Sequence, residues 1–167
     1  MKEIDVAQLS TRVVDLWMNQ WLVLTAGSLE DCNMMTVAWG SMGCMWSKPF
    51  VQIVVRPQRY TYQYLEKGDS FTLCAFPEKY RDALQTLGAL SGRDEDKLGR
   101  TELTLRKSKR VSAPSYNEAS LILECRKIYF QDIDPKGFLD PSIKDNYPAK
   151  DYHRVYFGEI LTALAAE

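Results

Sequence analysis

The chain has 167 residues, of which 46% are hydrophobic and 26% are charged, and its formal net charge at pH 7 is −1. This length is sufficient for one domain with a full core, so we expect a single domain over residues 1–167. The near-neutral charge gives no basis for nucleic-acid binding through a cationic surface. The longest apolar runs are too short to span a membrane, and the first five residues carry no apolar secretory segment. We therefore expect a cytoplasmic protein without membrane contact.

Hydrophobic periodicity predicts one helix and three strands in the first 55 residues. Apolar residues recur near helical spacing over residues 6–18, which predicts a short helix. Short runs of apolar and β-branched residues predict strands at 21–26, 34–39 and 50–55. Polar residues and a glycine between the first two runs predict a hairpin turn.

The segment between the second and third strands is predicted to be irregular. Two glycines and a serine favour a turn at residues 40–43, and a loop is expected to continue to residue 49. Met42, Met45 and Trp46 make this loop more apolar than an exposed loop normally is. Two interpretations stay open: these side chains fill gaps in the core, or they form a wall against a ring-shaped ligand or a dimer partner.

Two helices are predicted in the middle of the chain. The first covers residues 59–67 and ends before Gly68, a residue type common just past a helix end. The second follows Pro77, which suits the first turn of a helix, and it ends at Gly88.

The remaining segments predict strands and polar loops. Strands are predicted at 70–76, 119–133 and 152–161. The middle one alternates between apolar residues and polar ones such as Glu124, which predicts a half-buried strand. Residues 90–104 predict a solvated loop, 106–110 a basic turn or edge strand, and 135–147 a long polar excursion. Many strands with few helices predict a closed antiparallel barrel.

Four cysteines and one histidine restrict the chemistry that side chains can supply. Cys32, Cys44, Cys74 and Cys125 form no Cys-x-x-Cys pair, and His153 is the only histidine. We therefore expect free thiols in or near the core and no metal site. The chain also lacks a nucleophile elbow, a zinc-protease motif and a glycine-rich phosphate or dinucleotide loop. Chemistry carried by a bound cofactor fits these absences.

Apolar runs that end in cationic and hydroxyl residues indicate the kind of ligand. Arg56, Arg59, Thr61 and Ser41 stand at the ends of the central runs, where a bound anion would meet them. A ligand with a flat ring at one end and a phosphate at the other suits this order. The serine, glycine and basic residues of the 90–104 loop are a second place where a phosphate can be held.

Four segments together resemble the flavin reductase-like family of FMN-binding split barrels. They are residues 33–40 (NMMTVAWG), 55–61 (VRPQRYT), 91–94 (SGRD) with Lys97, and 151–153 (DYH) followed by 158–160 (GEI). The resemblance covers about residues 21–161. It implies a mainly β fold, an FMN-binding split β-barrel of Greek-key antiparallel strands with a few peripheral helices.

The resemblance also implies a cofactor and the residues that contact it. FMN is expected to lie across barrel strands at the interface of a homodimer. The residues implied at the flavin ring and ribityl chain are Thr36, Val37, Ala38, Trp39, Gly40 and Ser41. Those implied at the phosphate end are Arg56, Arg59, Tyr60 and Thr61. The residues implied in the nearby loop are Ser91, Gly92 and Lys97.

His153 matches the histidine that precedes a glycine in this family, although Tyr152 separates it from Asp151. It either lines the face where a nicotinamide stacks or is a strand histidine bonded to a neighbour.

The implied activity is hydride transfer from NADH or NADPH to flavin, with an unidentified electron acceptor. The alternative is a flavoredoxin-like electron carrier without its own nicotinamide site. A barrel that has lost its ligand is a third interpretation, and the retained Thr36, Arg59, Thr61 and Ser91 argue against it.

Overall fold

One antiparallel sheet of eight strands dominates the computed structural model, which describes residues 1–166. Its strands are β1 (Lys2–Ile4), β2 (Leu22–Gly27), β3 (Cys32–Val37), β4 (Gly40–Met45), β5 (Lys48–Val55), β6 (Ser70–Ala75), β9 (Leu121–Asp132) and β10 (Arg154–Ala165). A separate pair consists of β7 (Leu105–Arg106) and β8 (Ser115–Tyr116). The hydrogen-bonded order is β3-β2-β6-β9-β10-β5-β4, and β1 pairs with β10.

Three short α-helices of residues 1–166 lie outside the sheet. They are α1 (Val13–Asp15), which continues into a π-helical turn at Leu16–Gln20, α2 (Tyr60–Lys67) and α3 (Arg81–Ala89). The two predicted central helices are thereby confirmed as α2 and α3. Gly68 directly follows α2, as predicted.

The sheet curls into a barrel around its main core. Val37 of β3 and Ile53 of β5 belong to the same buried apolar cluster, although their strands lie near opposite ends of the sheet order. A second cluster packs α3 on the outside of the sheet, through Leu84 and Leu87. Within residues 1–166, β3 and β4 form no ladder with each other, so the predicted closed barrel is split at this point.

The segment after β3 is a strand, and the predicted turn at residues 40–43 is wrong. Residues 40–45 form β4, paired with β5 from Gly40 opposite Ile53 to Met45 opposite Lys48. The glycine is needed because a Cβ at Gly40 would collide with the ring of Trp17 and the backbone of β5. The actual turn is at Trp46 and Ser47, which both have positive φ (55° and 57°).

The N-terminal segment is not the continuous helix predicted over residues 6–18. It contains a 3₁₀ turn at Val6–Gln8 and then an extended Leu9 (φ −62°, ψ 113°) before α1 begins. The Asp5 carboxylate accepts a hydrogen bond from the Ala7 amide and so caps the short turn. The apolar side chains Val6, Leu9 and Val13 instead pack against the barrel core, and the preceding β1 pairs with β10.

β9 is buried on both faces at its start, and the predicted half-buried strand is wrong there. Residues 121–125 are all buried, including Glu124, whose side chain is fully enclosed. Its carboxylate accepts hydrogen bonds from the backbone amides of Lys109 and Arg110, at 2.6–3.1 Å. The predicted basic turn therefore covers this face of the strand.

All four cysteines are free thiols, as predicted, but they differ in exposure. Cys74 and Cys125 are buried, Cys32 is half-buried and Cys44 is exposed on β4, outside the core. Burial raises the pKa of Cys32 to about 11 and that of Cys74 to about 12.

The helices of residues 1–166 are all too short or too polar to cross a lipid bilayer.

Candidate functional site

Two neighbouring cavities lie where β3, β5, α2 and α3 meet the residues before β10. We call the first the cationic cavity, with a volume of about 390 Å³. It is lined by Asn33, Gln58, Arg59, Tyr60, Thr61, Ala89, Leu90, Ser91, Arg93, Asp94 and Lys97. We call the second the ring cavity, of about 190 Å³. It is lined by Met35, Thr36, Val37, Ala38, Trp39, Val54, Arg56 and His153.

A short stretch of backbone connects the two cavities. Arg56 of the ring cavity accepts a hydrogen bond through its carbonyl from the Arg59 amide, at 3.0 Å. Gly88 lies between them as well: a Cβ there would be 3.2 Å from the Cβ of Thr36. The Gly88 carbonyl accepts a hydrogen bond from Arg59 Nη2 at 2.9 Å. The residues that line the two cavities are therefore close neighbours.

Arg59 and Lys97 give the first cavity its positive charge. Lys97 is only 3% exposed, and its Nζ donates to the carbonyls of Leu87 and Leu90 at 3.2 and 3.4 Å. Together with the Arg59 bond to Gly88, these contacts satisfy carbonyls at the end of α3, where cations are favourable. Within residues 1–166, neither cation has a carboxylate within 4 Å.

The electrostatics of this pair are unfavourable without an anion. Burial, and next the charge of Arg56, lowers the pKa of Arg59. Burial, and next the charge of Arg59, lowers the pKa of Lys97 to about 8. The half-buried Arg59 and the buried Lys97 repel each other and donate only to neutral carbonyls, which leaves their charge uncompensated. A bound anion would supply the missing compensation.

The start of α2 adds uncharged donors to the same cavity. Tyr60 and Thr61 occupy the first helical positions, where backbone amides have no partner within the helix and favour anions. The Thr61 hydroxyl is buried and accepts a hydrogen bond from Asn33 Nδ2 at 2.7 Å, so its own hydrogen stays available. Arg93 lies over the Tyr60 ring, with its guanidinium carbon 5.1 Å from the ring centre.

The ring cavity is mainly apolar, and its polar side chains are those of Thr36, Arg56 and His153. Trp39 is 48% exposed at its edge, and its ring centre is 5.3 Å from that of His153. The Thr36 hydroxyl donates to the Leu84 carbonyl of α3, so it can only accept from a ligand. The cavity therefore offers flat apolar surface with few polar atoms, which suits an aromatic ring system.

His153 is buried and neutral at the inner side of this cavity. Its Nδ1 is 2.8 Å from the Tyr147 hydroxyl. Burial, followed by the charge of Arg56, lowers the pKa of His153 to about 4. The imidazole is therefore uncharged at neutral pH.

Arg56 holds the polar excursion against the barrel. Its Nη1 donates to Asp151 Oδ2 at 2.6 Å, and its Nη2 donates to the Asn146 carbonyl at 2.8 Å. Gln58 also donates to the same Asp151 oxygen. Arg56 thus lies on the ring side and is engaged with the excursion, while Arg59 faces the cationic cavity.

Three of the predicted contact residues lie outside both cavities. Gly40 packs against Trp17, and Ser41 donates its hydroxyl to Gln52 Oε1 at 3.1 Å. Gly92 permits close packing, because a Cβ there would collide with the Asn33 side chain and lie 3.2 Å from the Tyr60 ring. The other ten predicted contact residues line one cavity or the other.

Sequence reasoning assigned no role to several residues around the two cavities. Asn33, which opens the first matching segment, binds Thr61 and lines the cationic cavity. Asp151 contacts Arg56 and Tyr147 contacts His153; Tyr147 ends the excursion, and Asp151 follows it. The position of Asp151 in a segment that resembles the family could have indicated its role, whereas Tyr147 lies in a polar stretch with no recognisable pattern. Residues 1–166 contain no group of three or more His, Cys, Asp or Glu side chains placed to hold a metal ion.

Comparison with known proteins assigns the chain to a family. The model of the flavin reductase like domain matches residues 18–164. The chain therefore belongs to the flavin reductase like domain family.

One curated protein is similar in sequence to part of this chain. An uncharacterized protein of Archaeoglobus fulgidus is 29% identical over 105 residues, which are 63% of this chain. The matched part spans 59% of that relative's own length.

Solved structures of low sequence identity share the fold. The flavoredoxin of Desulfovibrio vulgaris is 20% identical, with a TM-score of 0.70 over 100% of this chain and 78% of the other. An FMN-binding domain of flavin reductases-like enzyme from Shewanella baltica is 18% identical, with a TM-score of 0.71 over 98% and 76%. The NADH:FAD oxidoreductase SgcE6 of Streptomyces globisporus is 18% identical, with a TM-score of 0.68 over 88% and 75%. These likenesses confirm the predicted split-barrel fold class.

Proposed function

We propose that this protein binds FMN and transfers electrons through it. The observation that carries the proposal is the pair formed by the half-buried Arg59 and the buried Lys97, two cations without a carboxylate partner in the described chain. A phosphate monoester is an anion of suitable size and charge for this pair, and the free amides at the start of α2 add donors.

The ring cavity supports a flat ring system beside the phosphate. Apolar residues of β3 and its end form the cavity wall, and Trp39 and His153 border it. We propose FMN rather than FAD because the cationic pair matches one terminal phosphate. The FMN-binding domain from Shewanella baltica supports this choice, whereas the Streptomyces protein is named for FAD.

The proposed reaction is reduction by NADH or NADPH, followed by electron transfer to an acceptor that is not identified. Bound FMN supplies the site that accepts hydride. The residues of this chain bind and orient: Arg59 and Lys97 hold the phosphate, and the apolar wall excludes water. His153 is neutral and contributes no charge, so its proposed role is to border the face where a nicotinamide stacks.

We also propose a homodimer with the site near its interface. Trp46 is 56% exposed at the tip of the β4–β5 hairpin, and its ring packs against Tyr129 and Phe157. Tyr129 of this group is 43% exposed as well. Exposed aromatic side chains grouped in this way are typical of protein interfaces.

Anaerobic stopped-flow absorbance of the FMN-loaded protein tests the function. We expect excess NADH or NADPH to bleach the visible flavin band rapidly, with a rate that saturates with nucleotide concentration. His153→Ala should then weaken saturation by the nucleotide more than it slows the maximal rate. Failure of the purified protein to bind FMN at all would refute the proposal that FMN is its cofactor.

The second candidate is an electron carrier that a protein partner reduces. The likeness to flavoredoxin favours it. Reduction by dithionite but by neither nucleotide would support this candidate and exclude the reductase.

A further inference from the structure

Either Tyr147 or His153 can be the donor of the hydrogen bond between them, and each possibility corresponds to a different tautomer of His153. The Tyr147 oxygen and His153 Nδ1 are 2.8 Å apart, and both side chains are buried. A neutral imidazole has one N–H donor and one acceptor nitrogen. Either the tyrosine hydroxyl donates to Nδ1 and the imidazole hydrogen is on Nε2, or Nδ1–H donates to the tyrosine oxygen.

The surroundings favour donation by the tyrosine. If Nδ1 donated, the Tyr147 hydroxyl hydrogen would need another acceptor, and within residues 1–166 this hydroxyl has no second partner. A buried donor without an acceptor costs about 1–3 kcal/mol. The guanidinium carbon of Arg56 is also 5.2 Å from the Tyr147 ring centre, and a nearby positive charge makes a phenol a better donor.

We propose that Tyr147 is a positioning residue: its hydroxyl holds His153 in the neutral form protonated on Nε2, so that the imidazole presents an N–H donor to a carbonyl oxygen of the ring-cavity ligand. Within the described chain, Nε2 has no hydrogen-bond partner, and His153 lines the cavity. The role toward the ligand rests on the proposed function. The tautomer itself is a property of the protein alone.

The neighbouring groups keep this arrangement fixed and uncharged. The charged groups facing His153 are Arg56 and Asp151, which are paired at 2.6 Å. Burial, followed by Arg56, keeps the pKa of the imidazole far below neutral pH. The Tyr147 ring is stacked on Phe138, with ring centres 5.9 Å apart and planes at 15°, which restrains the plane of the Tyr147 ring.

The tautomer is measurable without ambiguity because His153 is the only histidine. We would record two-bond correlations between the ring protons and ring nitrogens of ¹⁵N-labelled protein without added flavin, at neutral pH. We expect an unprotonated Nδ1 and a protonated Nε2. A protonated Nδ1 in the wild-type protein overturns the proposal, and this test needs no variant that must fold.

Tyr147→Phe keeps the ring stack and removes only the hydroxyl. We expect the Nδ1 resonance to move toward a mixture of both tautomers and the titration midpoint of His153 to shift upward, because the donor bond stabilises only the neutral ring. The matched control is Tyr152→Phe: its ring centre is 5.0 Å from that of Tyr147, but within residues 1–166 its hydroxyl has no hydrogen bond. The control should leave both values unchanged. An unchanged Nδ1 resonance in Tyr147→Phe contradicts the positioning role.

Adding FMN, and then FMN with NAD⁺, tests the role toward the ligand. A displaced Nε2–H resonance with FMN alone identifies the flavin as the source of the carbonyl, and displacement only after NAD⁺ identifies the nicotinamide amide. Bound FMN without displacement in either mixture refutes the donor role. If FMN does not bind, the proposed function fails and the donor role fails with it, whereas the tautomer is still decided by the spectrum without flavin.

Discussion

Lys97 shows how a single buried charge can link stability and binding. Its ammonium group is almost fully enclosed, is repelled by Arg59 and binds only carbonyls at the end of α3. Removing a charge from water is unfavourable unless an opposite charge compensates it. The protein without ligand therefore carries a destabilising group, and under the proposed function its benefit is the binding of the phosphate.

Replacing Lys97 by methionine should separate these two effects. We expect Lys97→Met to weaken FMN binding by about tenfold to a hundredfold, as expected for one charge-assisted hydrogen bond. The unfolding free energy of the flavin-free protein should change by less than about 1 kcal/mol, since loss of two bonds to carbonyls is offset by relief of the buried charge. Flavin fluorescence titration and urea unfolding measure the two quantities.

Lys67→Met is the matched control, because Lys67 is exposed in the last turn of α2. It should leave FMN binding unchanged. Equal FMN affinity of Lys97→Met and wild type would show that Lys97 does not contribute to the proposed phosphate site.

His153 should make the stability of the protein depend on pH. Its pKa in the folded protein is about 4, below the ordinary value of 6.5. Between these values the unfolded chain binds a proton that the folded chain does not, so stability decreases as the pH falls. From about pH 7.5 to about pH 5, wild type should lose about 2 kcal/mol more unfolding free energy than His153→Gln. Urea unfolding at both pH values measures this difference, and parallel losses in the two proteins would contradict the lowered pKa.

At the scale of elements, the local sequence pattern predicted those segments whose conformation depends mainly on their own residues. α2 and α3 carry their own signals in apolar spacing and in the glycine after α2. β4 could not be predicted, because its glycines favour a turn locally while β5 supplies its hydrogen bonds and Trp17 its packing. The burial of Glu124 could not be predicted either, since the amides that donate hydrogen bonds to its carboxylate belong to a turn outside β9.

β10 contains a glycine whose missing side chain is required by packing. At Gly158, where the register with β9 shifts, a Cβ would collide with the Phe71 ring and lie 3.0 Å from the Cβ of Cys125. We expect Gly158→Ala to lower the unfolding free energy by about 1–3 kcal/mol through overpacking. Gly137→Ala is the control, because a Cβ there meets nothing within 4 Å. Thermal or urea unfolding measures the stability of both variants. Equal stability of Gly158→Ala and Gly137→Ala would contradict the predicted overpacking.

At the scale of the whole molecule, the barrel brings together segments far apart in sequence. Residues near 36, 59, 97 and 153 meet only because the strand order places the end of β3 beside α2, α3 and the start of β10. Residue patterns alone suggested an anion near Arg59 but could not divide the site into two cavities. The family resemblance supplied ten of the residues that line them. Tyr147 was beyond both approaches, because its role depends on the fold of an irregular excursion.

The exposed aromatic hairpin gives a test of assembly. We expect the protein to sediment as a dimer and Trp46→Glu to shift it toward monomer, because a charge would replace the apolar ring at the interface. Leu139→Glu is the control: this residue is 96% exposed on the excursion, away from the hairpin. Sedimentation velocity at several concentrations compares the three proteins. A wild-type monomer would refute the proposed dimer, and a Trp46→Glu dimer of unchanged affinity would place the interface elsewhere.

The unequal exposure of the four thiols makes the protein suitable for selective labelling. Cys74 and Cys125 are enclosed, and the raised pKa of Cys32 leaves little thiolate at neutral pH. Cys44 alone is exposed, two residues from Trp46. Because thiolates are the reactive species, a brief alkylation should place a nitroxide spin label on Cys44. Pulsed dipolar spectroscopy between the two labels of a dimer would then measure how far apart the hairpins lie.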